Sequence, residues 1–305
     1  MSQVTTIDLG SNSFRVLMYD YEKHETINEY NEIVGTADGL VDSGLISNDA
    51  IQRVIDAITK SSNELNYNPS DTVCVTTAAM RMAKNSAEVL EKIYNKTGVR
   101  LNIIEGKEEA RLTRLAIKYA LKRENILSNN FIILDIGGGS TELIVNQANE
   151  YFAKSFDFGI VTLCQKHSDT QKLIVDLENR KNEINQYLTD LNINLDDFEF
   201  VATAGTPTTI AAIKHGQNFL NYDKNAVNGT IVEFNDLLNC LNMLNNNSTG
   251  EVENLIGKNR KEVIEVGILI YKCIYEVLDK KESIVLDDGL REGVAINHGI
   301  KSMKA

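Results

Sequence analysis

Two stretches of the chain set an aspartate at the end of an apolar run and follow it with a turn of small residues. The first is Ile7-Asp8-Leu9-Gly10-Ser11-Asn12-Ser13-Phe14, and the second is Leu134-Asp135-Ile136-Gly137-Gly138-Gly139-Ser140-Thr141-Glu142. Gly, Ser and Asn let an anion approach the backbone closely, and successive N–H groups in such a turn form an anion nest. Ser11, Asn12, Ser13, Gly137, Gly138, Gly139 and Ser140 are therefore candidates to hold phosphate. One such turn alone is as well explained as a plain hairpin turn. Two matched turns, each preceded by Asp, favour the anion. Asp8 and Asp135 suit Mg²⁺, which takes one or two carboxylates and completes its shell with water and substrate phosphate. The same carboxylates can also fix their turns through Asx-type hydrogen bonds.

Further candidates are scattered along the chain. Glu105-Gly106-Lys107-Glu108-Glu109-Ala110-Arg111 places two acids at a helix start. There they either complement the helix dipole, or one of them serves as a general base for a water attacking phosphorus. Neighbouring helix positions point about 100° apart, so only one of the two can face a given site. Arg81, after the small-residue stretch Thr76-Thr77-Ala78-Ala79-Met80, either grips a phosphate with its planar fork or forms a surface ion pair. Arg260, in Asn259-Arg260-Lys261, is open to the same two readings. Thr203-Ala204-Gly205-Thr206-Pro207 is either a strand-to-helix anion loop or a structural turn. The four histidines are far apart and none precedes Asp; no G-x-S-x-G elbow and no Walker A lysine loop is present, which sets aside Ser-His hydrolysis and P-loop chemistry.

The elements that must position these residues repeat. Each candidate turn lies between two apolar strand patterns, and each hairpin is followed by a third strand, Thr26 to Val34 and then Tyr151 to Phe158. Helical patterns follow in both halves. Ser47 can cap a helix carrying Ile51, Val54, Ile55, Ile58 and Leu65. Further helices are expected over 86–96, 108–124, 170–191, from Thr208, over 262–278 and over 290–298, the last ended by Gly299, with strands over 71–77, 198–203 and 283–286. Asn245 to Gly250 reads as a surface loop. Strands interleaved with helices give an α/β class. Two halves opening alike give two similar domains facing a cleft, residues 1–125 and 126–288, with the closing helix 289–305 expected on the first.

Composition bounds the partners. The 305 residues are 43% hydrophobic and 24% charged, as in ordinary globular proteins, and the net charge is −12. That charge lacks the basic field of a nucleic-acid binder, so a polyanionic ligand has to be held by local donors. No apolar run spans a bilayer and no leader pattern opens the chain, so a cytoplasmic protein without a membrane partner is expected. Cys74, Cys164, Cys240 and Cys273 show no paired spacing and are expected as reduced thiols. Two prolines and no tryptophan fit long regular elements.

Taken in order, Ile7 to Phe14, Glu108-Glu109-Ala110-Arg111-Leu112, Asp135 to Leu143 and Asp288-Gly289-Leu290-Arg291-Glu292-Gly293 resemble the exopolyphosphatase/guanosine-pentaphosphate phosphatase family, from about residue 4 to residue 297. The resemblance implies two ribonuclease-H-like domains of the actin/Hsp70/sugar-kinase type, with the active site in the interdomain cleft. It also implies a Mg²⁺-dependent phosphoanhydride hydrolase acting on inorganic polyphosphate or on guanosine pentaphosphate, with a homodimer as the assembly. By motif position, Glu109 falls on the catalytic glutamate, Asp135 on the essential aspartate and Glu142 on a further acid. Asn12, Ser13, Gly137, Gly138, Gly139 and Ser140 fall on the phosphate loops, and Arg81 and Arg260 on phosphate-binding arginines. Two departures stand out. Asn259-Arg260-Lys261-Glu262 replaces the usual Gly-Arg-Ala-Asp, and Thr162 stands where a basic residue is common. The chain ends soon after Gly299, as in the short, two-domain members, which puts processive action on long chains in doubt. Two rivals share these residues: a non-hydrolytic (p)ppGpp sensor, and a kinase or ATPase of the same superfamily.

Overall fold

The structure is a computed structural model and describes residues 2–148 and 150–304. The chain forms two compact units. One comprises Met1–Lys118, Gly138–Ser140 and Asp288–Ala305, and the other Tyr119–Gly137 and Thr141–Asp287.

The first unit is built on β1 (Gln3–Leu9), β2 (Ser13–Asp20), β3 (Glu25–Ile33), β4 (Val73–Thr76) and β5 (Leu101–Ile103), in the order β3-β2-β1-β4-β5. The first three strands are an antiparallel meander, and β4 and β5 extend it in parallel. β1 is central and carries Val4, Ile7 and Leu9 in the interior. Parallel neighbours need crossovers, and helices supply them. Helix Asn48–Leu65 starts at Ser47, whose hydroxyl accepts the Ala50 N–H at 3.2 Å, and it buries Ile51, Val54, Ile55, Ile58 and Leu65. Asn66, in the left-handed region, ends it.

The second unit repeats the plan with β6 (Asn130–Ile136), β7 (Thr141–Gln147), β8 (Glu150–Phe156), β9 (Glu199–Thr203), β10 (Thr230–Glu233) and β11 (Glu282–Val285), in the order β10-β11-β9-β6-β7-β8. Again a three-stranded meander is followed by parallel strands, β9 on β6 and β11 on β9, with β10 antiparallel at the edge. Both units are α/β with the ribonuclease-H-like strand order. Helix Lys261–Leu278 buries Tyr271 and Tyr275 against Phe200. The Tyr275 hydroxyl donates to the Val232 carbonyl at 2.6 Å and also meets Ser283 Oγ, so it costs little to bury.

Some expectations shift. The 245–250 stretch is exposed, but only Asn247 and Ser248 separate helix Phe234–Asn246 from helix Thr249–Ile256. Ser248 caps the second helix in a box with Glu251, so the polar residues that suggested a loop are capping residues. The helix expected from Thr208 begins at Gly205, with Pro207 in its first turn. Gly299 does not end the closing helix, which runs Leu290–Ser302; it is buried there against Tyr21. The four cysteines are free thiols. Burial raises the thiol pKa to about 11 at Cys74 and Cys164 and to about 12 at Cys240 and Cys273, so none is poised as a thiolate. Among the described residues no helix is long and apolar enough to cross a membrane.

Closing helix Leu290–Ser302 lies on helix Gly106–Arg123 at backbone distance. A Cβ on Gly293 would run into the Leu112 carbonyl. Beside that crossing, Arg291 and Glu292 are buried; the Arg291 guanidinium bonds Glu292 at 2.8 Å and Glu29 at 2.9 Å, and Arg111 reaches Asn297 at 3.0 Å. Gly293→Ala is expected to lower unfolding free energy by about 3 kcal/mol, the upper range of an overpacked contact, because backbone cannot yield as a side chain does. Urea denaturation checks this; a midpoint unchanged from the parent would mean that the helix crossing is loose.

Candidate functional site

In the first unit, Glu108 and Glu109 open helix Gly106–Arg123 and part company at once. Glu108 stays at the surface, its carboxylate bound by Arg111 at 2.7 and 2.8 Å. Those bonds hold its pKa below the ordinary glutamate value. Glu109 turns inward and is 8% exposed. Its Oε2 accepts from Arg81 Nη1 at 2.9 Å, and the same nitrogen donates to the Ile104 carbonyl at 2.7 Å. Arg81, from short helix Ala78–Met82, is thus fixed between a backbone acceptor and the interior glutamate. It is not a solvated surface pair.

The β1–β2 turn is tied down from behind. Gly10 N–H donates to the Ser13 carbonyl, Val34 and Gly35 N–H to the Asn12 carbonyl, and Ala37 N–H to the Ser11 carbonyl, all between 2.8 and 2.9 Å. Arg53 in turn holds the 34–38 loop, donating to the Val34 and Gly35 carbonyls and pairing with Asp38 at 2.7 Å. The carbonyls of Ser11 and Asn12 are therefore occupied. Ser11 Oγ is buried without a hydrogen-bond partner, and a Cβ on Gly139 would meet it at 2.5 Å and Ala78 Cβ at 2.8 Å. Glycine at 139 lets that second turn close on Ser11 and Ala78. Thr36 Oγ1, also buried without a partner, lies in the same supporting loop, and no sequence pattern singled it out.

In the second unit, strand register does the positioning. Asp135 on β6 is the direct partner of Glu142 on β7 and of Thr203 on β9. Directly opposed residues share one face of a sheet with Cβ atoms about 5 Å apart, so the two carboxylates stand side by side. Glu142 is 1% exposed, and Ser155 on β8 donates to its Oε1 at 2.6 Å. Like charges facing each other destabilise a sheet, and burial sharpens the cost. The first unit holds the contrasting case, since Asp8 is opposed by Arg15 at the equivalent register. Ser155 escaped sequence reading, and Thr203 was read only as the start of a candidate anion loop; counting register outward from Glu142 and Asp135 finds both. Gly137 accepts from Ile160 N–H at 3.0 Å. Thr162 is buried, its hydroxyl accepting the Gly159 N–H at 2.9 Å, so it caps helix Ile160–Lys166 where a cation had been the family expectation. Arg260 Nη1 donates to the Ile256 carbonyl at 2.9 Å, and a Cβ on Gly205 would lie 3.8 Å from its Nη2. The Thr203–Pro207 loop and Arg260 therefore meet.

Two carboxylates in register, one of them buried, suit a small divalent cation better than a caged one. Among the described residues no group of three or more His, Cys, Asp or Glu is arranged to hold a metal. Mg²⁺ needs no such cage, because it usually keeps waters and takes substrate phosphate. The residues fit that ion.

Fold and site define a class: ribonuclease-H-like α/β proteins with small-residue turns and paired carboxylates. Residues 18–299 match the model of the Ppx/GppA phosphatase family, and the chain belongs to that family. A bifunctional 3-dehydroquinate synthase/phosphatase of Fusobacterium nucleatum is 26% identical over 97% of this chain and 46% of its own length. A guanosine-5'-triphosphate,3'-diphosphate pyrophosphatase of Pseudoalteromonas atlantica is 26% identical over 94% of this chain and 57% of its own. The chain thus spans about half the length of these relatives. The crystal structure of the Aquifex aeolicus Ppx/GppA family member is 26% identical over 98% of each chain, with a TM-score of 0.74. An exopolyphosphatase from Cytophaga hutchinsonii, at 19% identity over 98% of each chain and a TM-score of 0.83, shares the fold.

Arg81→Met is expected to cost about 3 kcal/mol, since it strips the guanidinium from an interior carboxylate. The loss should shrink when Glu109→Gln is added, because no charge is then left behind. A urea-denaturation double-mutant cycle checks this; a coupling under about 0.5 kcal/mol would mark the pair as solvated.

Proposed function

We propose that the chain is a Mg²⁺-dependent phosphoanhydride hydrolase that releases orthophosphate from the ends of inorganic polyphosphate. The observation that carries this reading is the in-register pair Asp135 and Glu142, one of them buried, at the mouth of a Gly-Gly-Gly-Ser turn. Membership of a phosphatase family supports the reaction class. Hydrolysis of guanosine pentaphosphate is the second reading, favoured by the names of several relatives, and its substrate ends in the same phosphoanhydride.

Asp135 and Glu142 would hold the ion. When bound there, Mg²⁺ supplies positive charge to the oxygens of the transferring phosphoryl group. Asp8, in register with Arg15, is the further candidate ligand. Ser155 sets the orientation of the Glu142 carboxylate. Glu109 is the general base, taking the proton from the attacking water. Arg81 holds that carboxylate in place and, with Arg260 and the N–H groups of Ser11, Asn12, Ser13 and Gly137 to Ser140, binds phosphate oxygens. Little covalent chemistry is asked of the protein; it positions water and phosphate and stabilises charge. A cytoplasmic setting fits the four free thiols, and a homodimer is the proposed assembly.

Phosphate release from long polyphosphate, short polyphosphate and guanosine pentaphosphate, measured with Mg²⁺ and after chelation, tests the reading. Turnover should need the metal and fall by at least about a hundredfold in Glu109→Gln, the scale of a lost general base. Mg²⁺ should also raise the melting temperature of the parent protein and not that of Asp135→Asn. Turnover that survives both chelation and Glu109→Gln would sink the assignment. Absent turnover, with tight binding of guanosine tetraphosphate, would favour a sensor.

A further inference from the structure

We propose that Asp176 is a positioning residue for the turn that begins at Gly137, acting through the short helix Ile160–Lys166. The inference rests on reading that turn as a phosphate site, and it names what holds the turn in shape from the other end of a helix. Gly137, Thr141, the helix and Asp176 all lie within the second unit.

The helix has seven residues and is about 10 Å long at 1.5 Å per residue. Its first end grips both flanks of the turn. Ile160 N–H donates to the Gly137 carbonyl at 3.0 Å, and Thr141 Oγ1 donates to the Phe158 carbonyl at 2.8 Å. Gly137 leads into the turn and Thr141 leads out of it, so residues 158–160 brace the hairpin where the turn opens. The middle of the helix offers little to stop it sliding along its axis. Val161 and Leu163 are buried, but apolar burial has no direction. Beside Ile160, helix Lys261–Leu278 carries Gly267, which sets no side chain in the way; a Cβ there would meet Ile160 Cδ1 at 3.1 Å.

The other end is fixed by charge. Lys166 and the C-cap residue His167 both reach Asp176 Oδ2, at 2.9 and 2.8 Å, and Asp176 belongs to the next helix, Thr170–Leu191. The side chains of His167 and Asp176 are 12% and 13% exposed, so their bond is largely out of water. Burial works to raise the Asp176 pKa, yet the bonds from His167 and Lys166 and the charges of Lys166 and Arg180 bring it down to about 2. The carboxylate is therefore ionised at neutral pH. Arg180, one turn further along the same helix, lies 3.4 Å from Oδ1 and helps to orient it. Hydrogen bonds are directional where apolar contacts are not. Two of them on one carboxylate set the axial position of the short helix, which becomes a strut between Asp176 and the turn.

Amide hydrogen exchange and phosphate release from polyphosphate, both on the whole chain, test the strut in the parent, Asp176→Ala, Asp176→Glu and Lys181→Met. Lys181 pairs with Glu276 at 2.9 Å, which ties the same long helix to Lys261–Leu278 and not to the strut. In Asp176→Ala the Ile160 amide should exchange at least about tenfold faster while the amides of β6 keep the parent's rates, the mark of a local opening. KM should rise about tenfold with kcat within about twofold, because a phosphate contact made alike in substrate and transition state is weakened. Asp176→Glu, which keeps the charge, should bring both readouts to within about threefold of the parent, and Lys181→Met should move neither. Should Asp176→Ala fail to fold, Lys166→Met removes one of the two ties at the surface and should shift both readouts in the same direction. An Ile160 exchange rate or a KM unchanged by loss of the tie, or a KM raised equally by Lys181→Met, overturns the proposal. A parent that releases no phosphate removes the hydrolase reading, and the Ile160 exchange rate then still decides whether the strut exists.

Discussion

The site depends on one constraint, the register of the β6–β7 hairpin. Asp135 and Glu142 are seven positions apart and directly opposed. In a sheet, a slip of one residue sends every side chain to the other face. The apolar neighbours Leu134, Ile136, Leu143 and Val145 oppose that slip, because it would bring the carboxylates of Asp135 and Glu142 into their apolar cluster. Hydrophobic burial therefore fixes the separation of two charges that repel. The same spacing recurs at Asp8 and Arg15, which carry opposite formal charges. One hairpin thus sets an acid and a base in register, and the other sets two acids.

A second set of contacts supports Glu109. A buried carboxylate is tolerable only where it is paired and hydrogen-bonded, and Arg81 meets that need across 28 residues of sequence. Helix Gly106–Arg123, which carries Glu109, is in turn backed by the closing helix at Gly293 and by the Arg111 to Asn297 bond. Buried Arg291 is answered by Glu292 and Glu29. The late Asp-Gly-Leu-Arg-Glu-Gly motif is thus mechanical in this unit: its glycine permits the crossing and its charges lock it.

Much of this was legible in the sequence, for identifiable reasons. The hairpins read clearly because alternation and Gly/Ser turns are local signals. Helix Asn48–Leu65 read clearly because its cap and its buried stripe lie within one window. Helix Thr170–Leu191 emerged with both expected ends, since Asp169 and Asn192 flank it. What stayed hidden depends on distant partners or on residues with two meanings. Nothing near Arg81 announces Glu109, and nothing near Glu142 announces Ser155. The Asn-rich run 245–247 reads as loop by composition, yet it ends a helix whose apolar face, Leu237, Cys240 and Leu244, is buried. Gly299 has the look of a helix stop, but it is a contact residue that lets Tyr21 approach.

The two arginines show why motif and environment must be read together. Arg81 and Arg260 arise from the same expectation, a phosphate-gripping guanidinium. Arg81 is bonded to a carboxylate and a carbonyl, so its charge is partly spent in the protein and its geometry serves Glu109. Arg260 is anchored by a carbonyl and an aromatic ring. A carboxylate anchor lends a guanidinium's field to the protein's own chemistry, whereas a carbonyl and a ring fix its position. The proposed division of labour, with Arg81 orienting Glu109 and Arg260 meeting phosphate, rests on what each guanidinium touches.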